Sequence, residues 1–123
     1  MNLILGAEIL RVKVRYFTTL RELAGSSEEE LEIKDGGALG DLIKEVALKY
    51  GEEARSYLYR EGEDWEVDPS IHFLINGMNA RMLSGLNTKL KHGDVVAIIP
   101  PIGGGSQRKT NAKLNKFILE IYG

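Results

Sequence analysis

The chain has 123 residues, 43% hydrophobic and 28% charged, the make-up of one soluble domain with a modest core. Its net charge of -2 is unevenly placed: Arg108, Lys109, Lys113 and Lys116 face Glu120 alone after Gly105. The preceding body is therefore acidic and a poor partner for phosphate backbones, and with no cysteine the chain has no disulfide, thiolate metal site or thiol nucleophile.

Met1-Asn2-Leu3-Ile4-Leu5 is apolar but lacks the basic leader and length of a signal segment. No stretch approaches the roughly 20 apolar residues that span a bilayer, so no membrane role and a cytoplasmic location are expected. Leu10, Val12, Val14 and Tyr16 alternate with Arg11, Lys13 and Arg15, which predicts a half-buried strand over 10–17. Leu20 and Leu23 follow as a short apolar pair closed by Gly25. Leu31 and Ile33 alternate within Glu29–Lys34, a second strand antiparallel to the first.

The period then changes. Leu39, Leu42, Ile43, Val46, Ala47 and Tyr50 form one helical stripe, with Gly51 as the stop and only a weak start at Gly36-Gly37. Residues 52–69 read as polar and irregular, with one helical turn near Arg55–Tyr59. Ile71–Asn76 predicts a third strand turning at Asn76-Gly77, and Ala80–Lys91 a loop with short pieces of structure. His92-Gly93-Asp94 turns into Val95–Ile99, apolar on both faces as a central strand is. Pro100-Pro101 stops it, because proline has no N–H to give a ladder.

Strand, strand, helix, strand, strand is an α+β order that matches the β-grasp, or ubiquitin-like, fold with a mixed sheet and one main helix. The expected organisation is a β-grasp domain over residues 1–105, with a core of about 10–101 and a glycine tail over 102–105. Residues 106–123 form an extension in which Leu114, Phe117, Ile118 and Ile121 make an amphipathic helical stripe. About a dozen residues of helix are marginal alone in water, so this segment is expected to dock on the body or on a partner.

Four motifs carry a resemblance to a known family. They are Val12–Phe17 with Leu20-Arg21-Glu22-Leu23-Ala24-Gly25; Leu39-Gly40-Asp41-Leu42-Ile43; Phe73–Gly77 with Leu90–Val96; and Ile98-Ile99-Pro100-Pro101-Ile102-Gly103-Gly104-Gly105. Over about residues 10–105 the chain resembles the ubiquitin-like sulfur carriers of the MoaD/ThiS type and their archaeal modifier relatives. The resemblance implies that Gly105 is the acyl residue, with Gly104 beside it, once it ends the chain. An E1-like enzyme adenylates that carboxylate with ATP, and sulfur replaces the adenylate to give a thiocarboxylate. No cofactor stays bound, and the chemistry belongs to partners. The acceptor is the large subunit of molybdopterin synthase in MoaD-like members, towards which Pro100-Pro101 tilts the reading. In other members it is the thiazole of thiamine or a tRNA, and some members are joined to lysines of other proteins.

The physics of the motif agrees. Glycines fit a narrow channel in an adenylating enzyme because they carry no side chain. Pro100-Pro101 stiffens the exit from the sheet, and Ile99 and Ile102, with Gly103, give a partner surface at the arm's root. An internal Gly105 has an amide in place of a carboxylate, however. Either a protease removes residues 106–123, or the tail is permanent and the chain is a β-grasp interaction module, or the tail is not native to the product.

Plainer readings stand beside these. Gly103-Gly104-Gly105 also suits a flexible linker. Gly103–Thr110 half-resembles a phosphate loop, but Arg108 stands where its second glycine must be. His72 reads as a sheet-face residue and His92 as a turn residue, with no metal site expected. Trp65 reads as a shield for the helix, and Arg11, Lys13 and Arg15 as the solvated side of a strand. Glu28-Glu29-Glu30 reads as surface charge.

Overall fold

The computed structural model describes residues 8–62 and 65–101. Their elements are β1 (Ile9–Arg15), α1 (Thr18–Ala24), β2 (Glu28–Lys34), α2 (Leu39–Tyr50), α3 (Glu52–Leu58), β3 (His72–Ile75), β4 (Met78–Asn79) and β5 (Val95–Ile99). The sheet runs β2-β1-β5-β3-β4. β1 and β5 are parallel, with Val14 level with Val96, and every other pairing is antiparallel. This is the β-grasp order, in which the first and last strands lie side by side at the centre with α2 across one face.

Strand alternation decides what meets α2. Val12, Val14, Leu31, Ile33, Phe73, Ile75, Val96 and Ile98 point to the helix face and join one core with Leu39, Leu42, Ile43, Val46 and Ala47. Leu42, Ile43 and Val46 are fully buried, each worth about 1.5–3 kcal/mol relative to an exposed side chain. The start of α2, faint in the sequence, is held by side chain and sheet together. The Ala38 amide donates to Asp41 Oδ2 at 2.8 Å, and the Leu39 amide to the Thr88 carbonyl at 2.9 Å.

The predicted strands and main helix are present, and two segments hold more structure than expected. Thr18–Ala24 is a full helix, α1, ended by Gly25 in the left-handed region at φ 71°. Within 52–69 the single turn expected near Arg55–Tyr59 becomes the seven-residue α3, starting at Glu52 directly after Gly51. Its apolar residues are sparse, but Ala54 and Leu58 are both fully buried, so tertiary packing outweighs a polar sequence. Tyr59 then bridges to Val67, closing that excursion.

The Asn76-Gly77 turn has φ of 51° and 87°, the paired left-handed conformations of a tight hairpin, and leads into the two-residue β4. Asn76 also ties this hairpin to the start of β5: its Oδ1 accepts the Val95 amide and its Nδ2 donates to Asp94, both at 2.9 Å.

Candidate functional site

The end of β5 is set by neighbours on both sides. Ladder pairing runs up to Ile99 opposite His72 on β3, and the next residue, Pro100, has no amide proton to extend it. Of the predicted site residues, Ile99 and Pro100 are buried and Pro101 is exposed. Ile102, Gly103, Gly104 and Gly105 lie outside the described residues, as do the expected tail helix and extension. The chain thus emerges from the central strand, at the surface, at Pro101.

Ile99 does not stand alone. It belongs to a second apolar cluster with Phe17, Leu74 and Ala97 on the sheet face opposite α2. Register explains the grouping: Ala97 is level with Arg15 on one side and with Leu74 on the other, which places Phe17, two residues past Arg15, beside Ile99. The sequence held a signal for this patch, since Val95, Ala97 and Ile99 share one parity of β5. Its partners on β1 and β3 became visible only with the strand order. Expected to offer apolar surface, Ile99 is instead fully buried in this chain. At the rim, the Arg21 guanidinium lies 5.6 Å from the Phe17 ring centre.

The basic row of β1 is the solvated side of the strand, as its pattern predicts. Arg11 faces Glu32 at 3.5 Å, and Lys13 and Arg15 face Glu28 at 3.4 and 3.6 Å. Exposed pairs of this kind contribute little, about 0–1 kcal/mol each. His72 is half-buried next to Ile99, with Nδ1 3.4 Å from Asn79 Nδ2; burial, then the charge of Arg81, holds its pKa below the usual value. His92 accepts the Arg11 amide at 3.1 Å in the turn before β5. Trp65 packs edge-on against Tyr59 at 4.8 Å, with Arg55 and Lys44 over its faces at 4.7 and 5.4 Å, so it covers α2 and α3 as a shield does.

Glu29 corrects the expectation of plain surface charge. It pairs with Val14 across β1–β2 and so points to the core side. Its carboxylate accepts from Tyr16 and Tyr50 hydroxyls at 2.5 Å each and from Lys49 at 2.6 Å. Desolvation alone would raise this carboxyl, but the bonds from Lys49, Tyr16 and Tyr50 outweigh it and hold the pKa below the usual range. Burial first, then the bond to Glu29, pushes the Tyr16 phenol far above its usual range. The group anchors α2 to the sheet and faces no cleft. Its signal was parity with Leu31 and Ile33.

A cleft of about 210 Å³ beside α2 is lined by Leu39, Ile71, Phe73, Ala80 and Leu86, among others. Its charged side chains are Asp68, which accepts the Ser70 amide and hydroxyl at 2.9 and 2.7 Å, and Arg81, which donates to the Pro69 carbonyl. Each is committed to a loop contact, and together they form no acid–base pair. Among the described residues no cluster of three metal-ligating side chains occurs, and no helix is long and apolar enough to cross a membrane.

Known proteins share this architecture and its exit strand. The chain is 31% identical over 96 residues to small archaeal modifier protein 3 of Haloferax volcanii, covering 78% of this chain and all of that one. It is 29% identical over 97 residues to the molybdopterin synthase sulfur carrier subunit of Chlamydomonas reinhardtii, again across that protein's whole length and 78% of this one. The solution structure of small archaeal modifier protein 1 from Methanosarcina acetivorans superposes with a TM-score of 0.67 at 37% identity, covering 80% of this chain and 99% of that one. The model of the ThiS family matches residues 14–105, from the middle of β1 to Gly105, and the chain belongs to this family of ubiquitin-like sulfur carriers.

Proposed function

We propose that this protein carries sulfur as a thiocarboxylate on Gly105, formed after residues 106–123 are removed, and donates it in molybdenum cofactor synthesis. A protease would first free the Gly105 carboxylate. An E1-like partner then joins one carboxylate oxygen to the α-phosphorus of ATP, releasing pyrophosphate. Hydrosulfide-level sulfur attacks the acyl carbon, AMP leaves, and the thiocarboxylate is delivered to an acceptor such as a molybdopterin synthase large subunit. The carrier contributes position only. The central strand stops at Pro100-Pro101, and the three glycines that follow in the sequence carry no side chain to keep a partner's channel from closing around them.

One observation carries this reading: the family match ends on Gly105, the residue whose carboxylate the chemistry needs. Intact mass of the protein from its native host tests it. The expected result is a chain ending at Gly105, part of it heavier by the exchange of one oxygen for sulfur. A population made only of chains that retain residues 106–123 would refute it.

A second reading draws on the modifier name of the Haloferax volcanii relative: Gly105 joined to lysines of other proteins. It predicts ladders of higher mass in lysates probed with antibody, which pure sulfur transfer does not produce.

A further inference from the structure

We propose that the outer edge of β2 docks an extended partner segment of alternating basic and apolar residues, which joins the sheet as a further strand. The sheet order leaves β2, seven residues long, at one end, with β1 on its inner side. Two bonds flanking the β1–β2 ladder fix which backbone groups face outward. The Tyr16 amide donates to the Ser27 carbonyl and the Asp35 amide to the Glu8 carbonyl, both at 2.9 Å. An antiparallel ladder alternates, so Glu29, Leu31 and Ile33 turn their amides and carbonyls to β1, and Glu28, Glu30, Glu32 and Lys34 turn theirs to the edge.

Some of these edge groups are already committed. Ser26 Oγ donates to the Glu28 carbonyl at 2.6 Å and accepts its amide at 3.3 Å, and the Lys34 carbonyl accepts the Gly37 amide at 2.9 Å. Among the described residues, the amides of Glu30, Glu32 and Lys34 and the carbonyls of Glu30 and Glu32 remain unpaired, and all three residues are exposed. An added strand pairs with such a row through its main chain, while the surroundings on each face select its side chains.

The two faces beside this edge differ. Away from α2 stands the row Glu28, Glu30 and Glu32. β1 answers Glu28 with Lys13 and Arg15 and Glu32 with Arg11, whereas Glu30 has no ion-pair partner among the described residues. Towards α2, Ile33 and the 62% exposed Leu48 border a groove of about 380 Å³ between the end of β2 and the helix. Its rim carries Asp35, Asp41 and Glu45 against Lys34 and Lys44. A strand laid about 4.8 Å outside β2 thus meets acidic neighbours on one side and an apolar shelf on the other. Basic residues opposite Glu30 and Glu32, with apolar residues between them over Ile33 and Leu48, satisfy both. A second copy of this chain fits less well, because pairing β2 with β2 gathers three glutamates from each edge into one row with only Lys34 from each to offset them.

The edge is separated from the exit strand β5 by β1, so the proposal does not depend on the chemistry of Gly105. The full chain, labelled with nitrogen-15, is titrated with an end-capped peptide of four Arg-Val repeats and followed by NMR. Saturable shifts centred on Glu30, Glu32, Lys34 and Leu48 are expected. Methylating the backbone nitrogens of the peptide's arginines, which face β2, should weaken binding by about tenfold or more, and methylating those of its valines by less than about threefold. Glu30→Lys, an exposed change, should weaken the Arg-Val peptide by about fivefold and strengthen a Glu-Val one. Equal binding by the arginine-methylated peptide, unchanged affinity in Glu30→Lys, or no saturation by about 1 mM peptide would overturn the proposal. Shifts centred elsewhere, or edge shifts that grow with protein concentration alone and so mark self-pairing, would overturn it as well.

Discussion

Replacing Glu29 tests whether an ionised carboxylate on the core side of a strand holds α2 to the sheet. Three donors converge on it: the Tyr16 and Tyr50 hydroxyls at 2.5 Å and Lys49 at 2.6 Å. Tyr16 is fully buried, so its hydroxyl has no water to turn to when the acceptor is lost. Hydrogen bonds to a charged group contribute about 1.5–3 kcal/mol, and an unsatisfied buried donor costs about 1–3 kcal/mol. Lys49 is 47% exposed, so its share is screened and small. Glu29→Ala should therefore lose about 2–3 kcal/mol at neutral pH, and Glu29→Gln, which keeps an acceptor without the charge, about 1–2 kcal/mol.

The pH dependence follows from the same geometry. A carboxyl whose folded pKa is depressed adds stability above its unfolded value, about 4.3, and that contribution disappears as pH falls through the folded value. Urea unfolding at pH 7 and pH 3 reads the effect. The parent should exceed Glu29→Gln at pH 7, and the gap should narrow at pH 3. The depressed pKa of Asp68, held low by the Ser70 amide and hydroxyl, is common to both chains and cancels. A gap of the same size at both pH values, or an alanine variant within about 0.5 kcal/mol of the parent, would refute the reasoning.

Other expectations follow from neighbouring features. Asn76→Ala should cost about 1–3 kcal/mol in thermal unfolding, because it removes the side-chain bonds to Val95 and Asp94 and leaves a residue at φ 51° with a weaker preference for that conformation. Gly77→Ala, at φ 87°, should cost about 1 kcal/mol by the same measurement. Arg11→Ala should stay within about 0.5 kcal/mol, since Arg11 and Glu32 are 62% and 57% exposed; a larger loss would make the basic row structural. Deleting Gly104 and Gly105 should abolish sulfur transfer with the activating partner and leave the unfolding temperature nearly unchanged.

Much of the fold was readable because its signals are local. The alternation of Leu10, Val12, Val14 and Tyr16 reports which side of β1 is buried, and the Leu39–Tyr50 stripe reports one helix, without reference to any other segment. Helix α3 was under-read for the converse reason. Glu52–Leu58 carries only two fully buried positions, and its helicity depends on what Ala54 and Leu58 pack against. Glu29 was misjudged because two exposed glutamates flank it, although its parity with Leu31 places it inward.

From the amino-acid order alone came the element succession, the inward residues of each strand, the proline stop and the side-chain-free run ending at Gly105. All depend on the identity and spacing of near neighbours, which the backbone's two periods translate directly into faces. Only the tertiary structure decided that β1 and β5 lie side by side, that Phe17, Leu74, Ala97 and Ile99 therefore share one covered face, and that Tyr16, Lys49 and Tyr50 meet on Glu29. Those juxtapositions join residues from separate elements, most of them far apart along the chain. No periodicity within one segment can specify them, because they follow from the order in which the strands pair and from the helix that packs across the result.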